Sequence, residues 1–153
     1  MTYKAEIPYG AYWSTPFARW QGSFANLHSV EFAAHVARKE LAKRKIDPAQ
    51  LDYGVLGFSV PQKHSFFGLP WLTGMMGAGQ ATGPTLMQAC ATGVRTLLAA
   101  AQEIEVGMAS AALVLNCDRT SNGPLACPAP IMPVSQGKPK KEWFCGTEKP
   151  STP

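Results

Sequence analysis

The sequence predicts an α/β domain: a mainly parallel sheet with a buried central helix that follows a cysteine. Two features carry this reading. Residues 55–60 (VLGFSV) and 111–116 (AALVLN) are continuous apolar runs, the pattern of strands covered on both faces, and helix-like segments alternate with them. Residues 84–107 read PTLMQACATGVRTLLAAAQEIEVG. Here an apolar run at 85–89 leads straight into Cys90, then Ala91-Thr92-Gly93, then a segment rich in Ala and Leu. This order places Cys90 at a strand-to-helix turn.

Taken from the start of the chain, residues 9–13 suggest a short strand. Ser14-Thr15-Pro16-Phe17 ends it, because proline lacks an amide donor and restrains its predecessor. A loop continues through Gly22 and Asn26. Ser29 has the character of an N-cap, with Glu31 in the first turn. A helix is expected over 30–45, with Phe32, Ala33, Val36, Ala37 and Leu41 on one face and Lys39, Glu40, Lys43 and Arg44 largely elsewhere. Asp47-Pro48 opens a turn or one-turn helix through Leu51. The strand at 55–60 ends at Pro61, and a loop containing His64 follows. Residues 69–77 suggest a helix weakened by Pro70 and Gly74. Gly74, Gly77, Gly79 and Gly83 fit neither common phosphate-binding spacing and precede a strand, so they read as a connecting loop.

After Cys90, the residues Val94, Leu97, Leu98, Ala101 and Ile104 recur at helical spacing. Small side chains at 99–101 permit close packing, which is why this helix is expected at the centre. Beyond Pro124 the character changes: seven of the thirteen prolines fall in 124–153. The chain therefore divides into a folded domain, 1–124, and an irregular tail, 125–153. Lys138, Lys140 and Lys141 in that tail read as solvated.

Composition narrows the function. A chain of 153 residues suits one domain, or most of one, and can bury a core without staples. Cys90, Cys117, Cys127 and Cys145 form no C-x-x-C pair and no zinc spacing, so neither a disulfide framework nor a metal site is expected. A reducing compartment follows. Of the fourteen basic residues behind the net charge of +4, five lie in 38–45 (RKELAKRK), which reads as a solvated helix face. No basic stripe carries stacking aromatics, so nucleic acid is not an expected partner. An anionic small molecule, such as a nucleotide-bearing cofactor, remains compatible. The opening MTYKAEIPYG does not resemble a signal peptide, and no apolar run approaches the roughly 20 residues that cross a bilayer. A cytoplasmic protein without membrane contact is expected.

Cys90 by itself admits two readings. A free cysteine after an apolar run most often packs. At a helix start, however, unpaired amides favour an anion, and a thiol there ionises more easily and becomes a nucleophile. Position alone leaves both open.

Four stretches together resemble one family. S-T-P-F-A-R-W-Q-G-S-F at 14–24 resembles the thiolase opening R-T-P-F-G-x-x-x-G-x-L. I-D-P-A-Q-L-D and then V-L-G-F-S-V are similar to the segment that follows it. Q-A-C-A-T-G-V-R-T-L resembles the nucleophile motif, a cysteine, a small residue, Ser-Gly and an apolar helix. Residues 103–124 resemble the stretch I-x-x-G-x-A-d-x-x-v-A-G-G-x-E-S-M-S-x-x-P. The match covers residues 14–124. Ser14 stands where the family has Arg, Thr92 where it has Ser, and Asn116-Cys117-Asp118 where it has Gly-Gly-x-Glu. Condensing enzymes of the ketoacyl-synthase type share the A-C-A-T-G flavour but match less well.

The resemblance implies the N-terminal half of a thiolase, an acyl-CoA C-acyltransferase. Cys90 would be the nucleophile, and Thr92 and Gly93 would support the helix start beside the oxyanion, Thr92 by capping and Gly93 by close backbone approach. Acyl-CoA would be the substrate, with no permanently bound cofactor. The family's G-H-P histidine, its C-x-G cysteine and its N-x-x-G-G motif have no counterpart here, and His28, His35 and His64 lie in other surroundings. The implied partners are a homo-oligomer or a complementing C-terminal half, with an exposed apolar patch around Leu97, Leu98 and Ala101. A non-catalytic acyl-CoA-binding or interaction module and a redox-sensing thiol are the alternatives.

Overall fold

The centre of the sheet falls where the chain is apolar on both faces. In the computed structural model, which describes residues 4–121, strand β1 (Tyr53–Gly57) lies between β2 (Thr85–Leu86) and β3 (Ala112–Asn116). Both pairings are parallel; Leu56 faces Thr85 and Val55 faces Val114. Helix α1 (Ser29–Lys43) precedes β1, α2 (Gly68–Met76) joins β1 to β2, and α3 (Thr92–Glu105) joins β2 to β3. Parallel neighbours require such crossovers.

Alternation along β1 sorts the helices into layers. A side-chain carbon built at Gly54 would meet Leu69 and Thr73 of α2, whereas one built at Gly57 would meet Thr92 and Thr96 of α3. So α2 covers one face and α3 the other. The main core lies on the α2 side, where Val30, Ala34, Ala37 and Leu41 of α1 meet Leu56, Phe58, Leu69, Leu72, Met76 and Leu115. Of the α1 face expected inward, Ala37 and Leu41 are buried, while Phe32, Ala33 and Val36 are half-buried.

Several expected elements form as the local chemistry dictates. Asp47 accepts the Ala49 amide at 2.9 Å, capping the one-turn 3-10 helix Pro48–Gln50. Gly77 closes α2 in the left-handed conformation, φ 81°. At Gly83, φ is 146° and a Cβ would lie 2.0 Å from the Gly54 carbonyl, so glycine there lets the chain enter β2 against β1. Asp52 accepts the amides of Ser110 and Ala111 at 2.9 and 3.0 Å, which ties the loop before β3 to the start of β1. Those amides hold its carboxyl below the usual carboxylate range.

Three expectations are corrected. Residues 9–13 form no strand: Gly10 turns the chain at φ 78°, and Arg44 consumes the carbonyls of Gly10 and Tyr12 at 2.6 and 2.8 Å. The same guanidinium lies 5.2 Å over the Trp13 ring. Ser29 is the first residue of α1, and the N-cap position belongs to His28. β1 stops at Gly57, not Val60, because the Ser59 and Val60 amides turn out of the ladder to a carboxylate described below. The tail expected at 125–153, with Cys127, Cys145, Lys138, Lys140 and Lys141, lies outside the described residues.

Candidate active site

α3 approaches the sheet through its smallest side chains. Thr92, Thr96 and Ala100 are its buried residues. Thr96 is fully buried, and its hydroxyl lies 2.9 Å from the Gly93 carbonyl and 3.0 Å from Asn116 Oδ1. The bulkier stripe points away: Val94, Leu97 and Leu98 are 73%, 47% and 48% exposed, and Ala101 is half-buried. The exposed patch expected around Leu97, Leu98 and Ala101 is therefore present at Leu97 and Leu98 among the described residues. Leucines would not fit where Gly57 allows helix and strand to touch, so Thr and Ala take that face.

The approach to α3 is a strained turn. After β2 the chain runs through Met87 and Gln88 into a single 3-10 turn, Ala89–Ala91, with Cys90 at its middle. Ala89 has φ 46°, a left-handed conformation that costs a non-glycine residue roughly 1–2 kcal/mol. Its carbonyl accepts two hydroxyls, Ser59 Oγ at 3.0 Å and Thr92 Oγ1 at 2.8 Å. Thr92 Oγ1 in turn accepts the Gln88 amide at 2.8 Å, and the Ala91 amide donates to the Gln88 carbonyl at 2.9 Å. Cys90 is a free thiol and exposed.

Thr92 thus braces the turn before the helix. The N-cap residue of α3 is Ala91, which offers no side-chain cap to the first amides of the helix. A Cβ at Gly93 would meet nothing within 4 Å among the described residues, so the surface beside it is open. Within the described chain, then, no backbone makes the close approach expected at Gly93.

Ser59 is itself held from the other side. Asp118, two residues past β3, accepts the amides of Ser59 and Val60 with a single oxygen, both at 2.8 Å. The Cys117 amide donates to the Gly57 carbonyl at 2.9 Å, carrying the β1–β3 ladder up to that carboxylate. Ser59 and Asp118 escaped the sequence reading. Nothing in their spacing marks them, because their partners are 30 and 59 residues away.

Cys117 is half-buried where Cys90 is exposed. Burial pushes its thiol up to about 11, the neighbouring Ser29 hydroxyl offsets part of that rise, and the Asp118 charge adds to it. It lines a cavity of about 340 Å³ with Trp13, Phe24, Phe32 and Ser29, and Cys90 is not in that lining. Iodoacetamide at pH 8 is expected to label Cys90 and spare Cys117 in the folded chain, and to label both in urea; peptide mapping reads the result. Equal labelling without denaturant would contradict this assignment.

Among the described residues no group of three or more His, Cys, Asp and Glu side chains is arranged to hold a metal. No helix among them is long and apolar enough to cross a membrane. His28 is engaged elsewhere: Nε2 lies 2.7 Å from the Lys63 carbonyl, and its ring stands edge-on to Trp71.

The sequence model of the thiolase N-terminal domain matches residues 11–145. No curated protein matches the chain. Among solved structures, human mitochondrial 3-ketoacyl-CoA thiolase superposes with a TM-score of 0.59 at 20% identity, over 64% of this chain and 25% of that one. Acetyl-CoA acetyltransferase from Syntrophomonas wolfei gives 0.60 at 23% identity, over 65% and 25%. The Bacillus anthracis acetyl-CoA acetyltransferase gives 0.54 at 22%, over 60% and 23%. These likenesses concern the fold, and the matched region amounts to about a quarter of each relative's length. With more than half of its residues matched by that domain, the chain belongs to the thiolase family.

Proposed function

We propose that this chain supplies the nucleophile-bearing half of a thiolase-type acyltransferase, with Cys90 as the catalytic residue. The supporting observation is an exposed thiol at the crest of a braced turn, at the start of a helix whose first amides carry no side-chain cap. The Cys90 thiolate adds to the carbonyl carbon of an acyl-CoA thioester. The oxyanion that develops is stabilised by backbone N–H groups of the Cys90 turn other than those of Ala91 and Thr92, which donate to the Gln88 and Ala89 carbonyls. The bond to the CoA sulfur then breaks, CoA departs as a thiol once protonated, and the acyl group stays on Cys90. In the second step the α-carbanion of another acyl-CoA attacks this acyl-enzyme. The products are a 3-ketoacyl-CoA and the free thiolate; the reverse sequence is thiolytic cleavage.

Proton transfers in both steps call for acid–base groups. By resemblance to the family, a complementing C-terminal half brings them as a histidine and a second cysteine. CoA itself is substrate, not resident cofactor; one of the related structures, human mitochondrial 3-ketoacyl-CoA thiolase, is in complex with CoA. The two free cysteines among the described residues suit a reducing, cytoplasmic setting.

The test is incubation with acetyl-CoA, followed by peptide mass mapping. An acetyl-sized increment on the Cys90 peptide supports the proposal. CoA binding without acylation points instead to a binding module, and peroxide oxidation of Cys90 without acylation points to a redox sensor.

The exposed α3 stripe suggests where a second copy or the complementing half docks. Val94, Leu97 and Leu98 form an apolar patch on one helix face, of the kind that drives association. Leu97→Lys with Leu98→Lys is expected to shift the chain toward monomer in sedimentation at equal concentration. An unchanged distribution would remove α3 from the interface.

A further inference from the structure

We propose that Ser59 and Asp118 are positioning residues for Cys90, acting in series through the Ala89 carbonyl. This rests on Cys90 being the nucleophile. Ala89 is held in a left-handed conformation that an alanine leaves when free to do so. Its peptide to Cys90 is planar and trans, so fixing the Ala89 carbonyl also fixes the opposed Cys90 amide and the direction in which the Cys90 side chain leaves the backbone. Three donors fix that carbonyl: the Thr92 hydroxyl and backbone N–H from α3 on one side, and the Ser59 hydroxyl from the end of β1 on the other.

The two tethers differ in what anchors them. Thr92 sits on the element whose start the turn forms, so it moves with that turn. Ser59 is referenced to the sheet. Its amide and that of Val60 share one Asp118 oxygen, and the adjoining Cys117 amide closes onto Gly57. A single carboxylate therefore gathers the ends of β1 and β3, and one hydroxyl passes that position to the nucleophile's turn. Removing Ser59 leaves the turn tied only to its own helix.

The experiment compares Ser59→Ala, Ser59→Thr, Asp118→Ala and the Ser59→Ala/Asp118→Ala pair in the full chain. The first readout is the iodoacetamide alkylation rate of Cys90 by peptide mapping; the second is acylation by acetyl-CoA. Ser59→Ala is expected to slow alkylation about fivefold, the factor carried by one hydrogen bond of ordinary strength. Ser59→Thr keeps a hydroxyl and restores the rate to within about twofold. Because the two residues act in one relay, the double variant is expected to be no slower than the slower single one. Independent losses of stability would multiply instead, so this non-additivity separates positioning from general loosening.

Wild-type alkylation rates in Ser59→Ala would overturn the proposal, as would failure of threonine to rescue or single effects that multiply. If Asp118→Ala fails to fold, the Ser59 alanine–threonine pair decides alone. Alkylation needs no CoA chemistry. A wild-type chain that takes no acetyl group while the alkylation pattern holds removes the acyltransferase reading and leaves the positioning intact.

Discussion

Gly57→Ala is expected to destabilise the chain by about 2–4 kcal/mol, the sum of overpacking and one lost hydrogen bond. The new methyl would lie 2.0 Å from Asn116 Oδ1 and 2.8 Å from the γ-methyl groups of Thr92 and Thr96. Asn116 can swing aside, but its contact with the Thr96 hydroxyl is then lost. The threonines turn aside only by breaking the hydroxyl contacts that fix them, Thr92 to Gln88 and Ala89 and Thr96 to Gly93. Otherwise α3 must move off the sheet, and Thr92 with it. Thermal unfolding should show a midpoint lowered by roughly 5–15 °C for a chain of this size. Cys90 alkylation should change as well, since Thr92 is one of the two tethers of its turn. A variant that melts with the wild type would mean that α3 does not sit as closely on β1 as described.

Cys90→Ser is expected to abolish acylation by acetyl-CoA, lowering its rate by roughly a thousandfold or more, because a serine hydroxyl with no base to activate it is a poor nucleophile. Stability should hardly change. Cys90 is exposed, and the turn is braced by Gln88, Ala89, Ser59 and Thr92 without its sulfur. The comparison is therefore clean: equal melting midpoints, and acyl transfer present in one chain and absent in the other. An acetyl group found on the Cys117 peptide of either protein would move the chemistry away from the turn. The raised thiol of Cys117 argues against that outcome.

How much was legible in advance can be read from particular residues. The two apolar runs became β1 and β3, and the Cys90 turn with its helix followed from the order of segments. Asp47-Pro48 and Gly77 marked their turns because capping and left-handed closure are decided within a few residues. The strand expected at 9–13 failed for a non-local reason: Arg44, over 30 residues on, takes the carbonyls a ladder would need.

The apolar stripe of α3 shows the same division. Its periodicity was plain, and exposure at Leu97 and Leu98 was expected. Which face would meet the sheet was not, since that depends on Gly57 across a parallel crossover. Local chemistry along the chain thus settled where strands, turns and the candidate nucleophile lie, because those preferences act within a few residues. The bracing of Cys90 by Ser59, Thr92 and Asp118 came from folding alone. It joins the ends of three elements by hydrogen bonds up to 59 residues apart, and no spacing rule reaches that far.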